Sequence, residues 1–170
     1  YYFYGNKPKP VYVKIVPMSF ETTLYDAFTG MNPAEKSAVM NFLCEHTENA
    51  CRASVREALE YALKNKPSFG GFVLTAHAGK QLIATVVVNR TGMEGYNPNN
   101  LFVYVTFHEA YRDDETTMLQ VLKKAIDLTD GDIALHVEPR NPVLKLYKKM
   151  GFEAQYLELR LNKKQPATMA

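Results

Sequence analysis

Between residues 101 and 152 the sequence alternates two β-type apolar runs with two helix-patterned segments across short polar connections. In order these are LFVYVTF, the turn HEAYRDDETT, MLQVLKKAIDLT, DIALHV, the turn EPRN and PVLKLYKKM, closing on Gly151 and Phe152. Parallel strands require long crossover connections, and helices supply them here, so the pattern predicts an α/β sheet and argues against a β-sandwich. Met118, Val121, Leu122, Ala125 and Ile126 recur at helical spacing and form a core stripe. In the second run Ile133, Leu135 and Val137 alternate with Ala134, His136 and Glu138, which puts His136 and Glu138 together on the opposite sheet face. Ligands of open α/β sheets sit at strand carboxyl ends and at helix N-termini, where free N–H groups and the helix dipole attract anions. The expected site is therefore the corner between Phe107 and Thr116.

The rest of the chain supplies partners for these strands. Val11, Val13 and Ile15 alternate in a run stopped by Pro17 and read as a first strand. Residues 21–64 read as the helical part, with Pro33 near a helix start and two stripes, Ala38, Val39, Phe42, Leu43 and Val55, Leu59, Ala62, Leu63. Residues 72–76 and 81–88 flank His77-Ala-Gly-Lys80 as a hairpin, and a polar loop at 89–100 leads into the 101–107 strand. A last strand is expected at 155–161, with Leu157, Leu159 and Leu161 inward. The organisation that follows is an aromatic, proline-containing extension at 1–10, one domain at 11–161 and a flexible tail at 162–170.

Several function classes are disfavoured. The 170 residues carry a net charge of +2 with acids and bases interspersed, which gives no nucleic-acid footprint. No apolar run approaches the ~20 residues of a membrane span, so a cytoplasmic location without membrane contact is expected. His46, His77, His108 and His136 are scattered without metal-ligand spacing, and no metal is expected. Cys44 and Cys51 are expected to be reduced thiols.

The segment from Asn141 to Phe152, NPVLKLYKKMGF, resembles the Asn…Leu-Tyr-x-Lys-x-Gly-Phe segment of the GNAT superfamily of N-acetyltransferases, and Ala110-Tyr-Arg112 stands where that family turns from strand to helix. The resemblance implies a GNAT-like mixed, twisted β-sheet with helices on both faces, opened in a V beside Val105 to Phe107. It also implies acetyl-coenzyme A (acetyl-CoA) as acyl donor, a small-molecule or protein amine as acceptor, and leaves a homodimer open. By the same match Tyr147 would be the general acid for the leaving thiolate and Asn141 would contact the coenzyme arm. Backbone groups at Val105 and Phe107 would polarise the thioester, and Arg112, Thr116 and Thr117 would lie at the pyrophosphate. A phenol, which ordinarily titrates near pH 10, is protonated at neutral pH and suits the role given to Tyr147. Tyr25 and Phe28 lie in the half that covers the acceptor in that family.

The family's turn carries small residues at two positions where the backbone closes on the pyrophosphate, and here these are Glu115 and Thr117, within Arg112-Asp-Asp-Glu-Thr-Thr117. Three consecutive carboxylates repel a pyrophosphate, while Asp113 or Asp114 equally suits a helix N-cap. Two functions follow: an acetyltransferase acting on a primary amine, or a non-catalytic, ligand-sensing domain of the same fold. For the base that deprotonates the amine, Glu94, Glu109, His108 and His136 carry suitable groups.

Overall fold

A computed structural model describes residues 19–64, 70–93, 95, 97–159 and 161. The expected strand at 11–16, the extension at 1–10, Glu94 and the tail at 162–170 lie outside them. Among the described residues, five strands form one sheet in the order β1 (Glu21–Tyr25), β2 (Gly71–Ala78), β3 (Gln81–Arg90), β4 (Asn100–Phe107) and β5 (Ile133–Leu135). The first three pairings are antiparallel and β4 with β5 is parallel, so the sheet is mixed. Two helices, α1 (Pro33–His46) and α2 (Arg52–Ala62), separate β1 from β2, and α3 (Glu115–Asp127) crosses from β4 to β5 before α4 (Leu144–Lys149).

Strand periodicity sorts the core into two layers. Phe72, Leu74, Val86 and Val88 pack with Met118, Val121, Leu122 and Ala125 of α3 and with Leu146 and Tyr147 of α4. Val73 and Val87, one residue out of phase, pack on Val39, Phe42 and Leu43 of α1 and Val55 and Leu59 of α2. Burying each such side chain is worth about 1.5–3 kcal/mol before entropy, and this double coverage explains why β2 and β3 are apolar on both faces. Asn32 opens α1 with a reciprocal capping box to Glu35, and Pro33 follows it in the first turn. The β2–β3 hairpin turns at Gly79, whose φ of 58° is the positive value its first turn position requires.

Three sequence expectations are corrected. Residues 21–25 form β1 rather than helix, because Thr22, Thr23 and Tyr25 favour a pleated edge and Thr22, Leu24 and Tyr25 register on Ala76, Leu74 and Val73. The run DIALHV pairs only over Ile133–Leu135, so His136 and Glu138 lie beyond the strand end. Residues 155–159 form no strand, and Leu157, Leu159 and Leu161 are 82%, 86% and 86% exposed rather than inward. No strand of the described sheet registers on 155–159, so the alternation has no core to face, and the 3.2 Å contact of the Glu158 carboxylate with His136 Nε2 is itself a surface one.

Candidate functional site

The site begins with one surplus residue. Val87 faces Tyr104 and the next residue, Val88, faces Phe102, so Val103 is an extra residue in β4. Such a β-bulge bends and twists the strand that carries it. The parallel pairing with β5 ends at the same point: Asn100, Leu101 and Phe102 register on Ile133, Ala134 and Leu135, and no pairing with β5 continues from Val103 on. The two strands part there, and the V expected beside Val105 to Phe107 opens from the bulge.

A cavity of about 1030 Å³ fills this opening. It is lined by Val103 to Phe107 of β4, by His46 to Asn49 at the end of α1, by Arg112 and Asp113, by His136 to Glu138, and by residues of the loop before α4 and of α4 itself. Val105, Phe107, Arg112, Asn141 and Tyr147 thus share one cavity, whereas Thr116 and Thr117 are not among its lining residues. A second, smaller cavity of about 430 Å³ adjoins it through Arg140, Asn141, Pro142 and Lys145 and is also lined by Pro139, Leu144 and Lys148.

Tyr147 sits on α4, buried, with its ring edge-on to Phe152 at 5.7 Å between centroids. Burial pushes its phenol up to about 12, so the group stays protonated across the physiological range. The Asn141 side-chain oxygen accepts the Val143 N–H at 3.0 Å, an Asx turn that leaves the amide nitrogen for a ligand.

At the other wall, α1 ends against the freed half of β4. Thr75, Thr85 and Thr106 stand in cross-strand register on the α1 side of the sheet, and the row ends where the Thr106 hydroxyl meets that of Thr47 at 2.7 Å. Beside Thr47, His46 has a side chain only 7% exposed, with its ring 4.8 Å from Phe42 and 4.6 Å from His108. Arg112 Nη2 donates to the His46 carbonyl at 2.8 Å, so the turn after β4 is tied to the end of α1. Desolvation by burial draws the His46 imidazole below its ordinary 6.5, and it is neutral at pH 7. Sequence reasoning missed His46: its one local signal is the i,i+4 spacing from Phe42, which reads as core.

The other base candidates are differently placed. His108 Nδ1 accepts the Ala110 N–H at 3.1 Å, so the neutral ring carries its proton on Nε2, 3.2 Å from the Gln81 amide, and has no lone pair left for an ammonium. His136 is paired with Glu158 rather than with Glu138. Glu109 lies in the short 3-10 turn outside the cavity lining. Tyr25 is absent from the lining too, and Phe28 is 80% exposed.

The acidic turn divides its three carboxylates. Asp114 caps α3, accepting the Thr117 N–H at 3.1 Å and the Thr117 hydroxyl at 2.6 Å. The Thr117 hydroxyl first, and then its N–H, hold the Asp114 carboxyl below the usual carboxylate value. Glu115 is ion-paired to Lys149 of α4, and Asp113 borders the cavity. A carboxylate of the chain itself therefore occupies donors that a phosphate would otherwise use at the start of α3.

Among the described residues, no group of three His, Cys, Asp or Glu side chains could hold a metal ion, and no helix is long and apolar enough to cross a membrane. Cys44 and Cys51 are free thiols, and Cys51 Sγ caps α2 by accepting the Ser54 N–H at 3.4 Å.

A mixed sheet covered on both faces and parted between β4 and β5 is a GNAT-like fold. No protein-family model and no curated protein sequence matches the chain. Solved structures do. The crystal structure of the NatC complex bound to Gag peptide and CoA matches with a TM-score of 0.63 at 17% identity, over 82% of this chain and 87% of that one. A transcriptional regulator from Bacillus halodurans C-125 matches at 0.62 and 18% identity, over 84% and 99%. Aminoglycoside N-acetyltransferase AAC(6')-Iy in complex with CoA matches at 0.57 and 13% identity, over 89% and 100%.

Proposed function

We propose that the protein is an N-acetyltransferase that moves an acetyl group from acetyl-CoA to a primary amine. The observation that carries this reading is the parting of β4 from β5 at Val103, which leaves strand backbone beside a cavity that Tyr147 also lines. Acetyl transfer needs a polarised carbonyl, and fixed backbone N–H groups on a freed strand supply that without reorganisation. Val105 and Phe107 lie on this strand. The departing thiolate needs a proton, which the buried Tyr147 phenol retains at neutral pH.

The diphosphate of the coenzyme is assigned to side-chain cations rather than to the first turn of α3. Arg140, Lys145 and Lys148 line the smaller cavity, and none of the three forms an ion pair among the described residues. Asn141 lines both cavities, so a coenzyme arm running from this cluster to the freed strand would pass its side-chain amide, while Arg112 lines the main cavity.

The test is acetyl-CoA consumption, followed as free thiol, with a panel made of kanamycin, spermidine and a peptide with a free N-terminus. Aminoglycoside and peptide are included because the names of two structural neighbours mention them. Turnover with any member supports the reading. Absence of both turnover and coenzyme binding supports the second reading, a ligand-sensing domain without catalysis, which the self-capping of α3 by Asp114 favours.

A further inference from the structure

On the acetyltransferase reading, an incoming ammonium must lose a proton before its nitrogen has a lone pair with which to attack. We infer that His46 is the group that takes this proton. Four observations converge on it. His46 lines the main cavity beside the freed half of β4, and Thr47, the next residue, is bonded to Thr106 of that strand. The ring is held in place by Phe42 on its own helix and by His108, while Arg112 grips the backbone carbonyl. Neither ring nitrogen makes a hydrogen bond among the described residues, and Glu45 Oε2, 3.9 Å from Nε2, stands beyond hydrogen-bond reach. His108, by contrast, has the single lone pair of its neutral ring taken by the Ala110 N–H.

The two sheet faces divide the work. Thr106 and Tyr104 look toward α1, whereas Tyr147 packs in the layer with α3. A base therefore stands on the α1 face and an acid on the α4 face, with the gap between β4 and β5 joining them. The neutral imidazole accepts one proton from the ammonium, and the freed lone pair forms the C–N bond at the thioester carbonyl carbon. Collapse of the tetrahedral adduct breaks the C–S bond. The thiolate takes the Tyr147 proton, the phenolate recovers one from the newly acylated nitrogen, and His46 returns its proton to solvent past the exposed Glu45 carboxylate. Glu48, exposed on the same rim, adds a negative charge that favours a cationic acceptor.

Groups facing His46 pull in both directions. Burial, His108 and Arg112 favour the neutral ring, and Glu45 and Glu109 favour the charged one, with burial dominant. An imidazolium cannot accept a proton, so activity is lost as pH falls through a value below 6.5.

The experiment measures kcat/KM against pH for the unmodified protein and for His46→Gln, using the best acceptor of the panel, with acetyl-CoA affinity from calorimetry. Expected is a fall on the order of 10²-fold at neutral pH, loss of the acid limb and unchanged coenzyme affinity. An active His46→Gln protein that keeps the acid limb overturns the assignment and leaves the acetyltransferase reading standing. An unmodified protein that turns over no amine overturns both. If His46→Gln does not fold, the imidazole titration of His46 followed by NMR in the unmodified protein decides, because its midpoint must coincide with the kinetic acid limb and a mismatch overturns the assignment.

Discussion

Thr47 and Thr106, 59 residues apart, share a hydroxyl–hydroxyl hydrogen bond of 2.7 Å that fastens the end of α1 to the part of β4 that β5 does not pair. Removing one partner of such a bond leaves the other hydroxyl unsatisfied in a part-buried place. Thr106→Val should cost about 1 kcal/mol of stability in urea unfolding. Because His46 adjoins Thr47, KM for the amine should rise while the dissociation constant for acetyl-CoA stays the same. Equal shifts in both constants would place Thr106 on the coenzyme side instead.

Tyr147→Phe removes one oxygen and keeps the ring against Phe152. Turnover should fall roughly 10²-fold with coenzyme affinity preserved, since the hydroxyl proton is used only as the thiolate leaves. With the phenol pushed up to about 12, the unmodified protein should show no alkaline loss of activity from Tyr147 between pH 7 and 10. An alkaline limb near pH 9 that disappears in Tyr147→Phe would contradict the burial of this group.

Asp114→Ala should have two opposed effects. Loss of the N-cap costs about 0.5–2 kcal/mol. The Thr117 N–H and hydroxyl become available to a phosphate, so acetyl-CoA should bind more tightly, with a gain that shrinks as salt rises. The depressed Asp114 carboxyl contributes stability that is present above 3.8, its unfolded value, and is lost as pH falls through its lower folded value. The stability gap between Asp114→Ala and the unmodified protein should therefore narrow in acid. Thermal unfolding across pH and calorimetric titration at two salt concentrations read both effects.

Arg140→Ala and Lys148→Ala test the cationic cluster. Each should weaken acetyl-CoA binding by about 5-fold at low salt, the equivalent of ~1 kcal/mol for a solvated charge pair. The double substitution should flatten the dependence of affinity on salt. Unchanged affinity would return the diphosphate to the start of α3.

The architecture is legible in the sequence where it is encoded locally. The strand and helix periods of residues 101–152 announce the crossover order, and the acidic residues before Thr116 announce a cap, which Asp114 supplies. Segments whose state depends on a distant partner are not legible in this way. Residues 21–25 become strand only through pairing with β2, and the alternation at 155–161 predicts a strand for which the described sheet offers no partner. His46 is hidden for the same reason: Arg112, His108 and Thr106, which make its surroundings, lie about 60 residues downstream. The bulge at Val103 leaves no mark at all in the apolar run that contains it.

That bulge is a matter of counting rather than of chemistry. Val103 is 40% exposed, and most side chains would serve in its place, so replacing it residue by residue should leave the cleft open and the protein working. Deleting it is another matter, because Phe102 and Tyr104 would then be neighbours in step with Val88 and Val87, and β4 could run straight beside an extended β5. A survey of substitutions would score this position as tolerant, while the loss of a single codon there would zip the sheet shut.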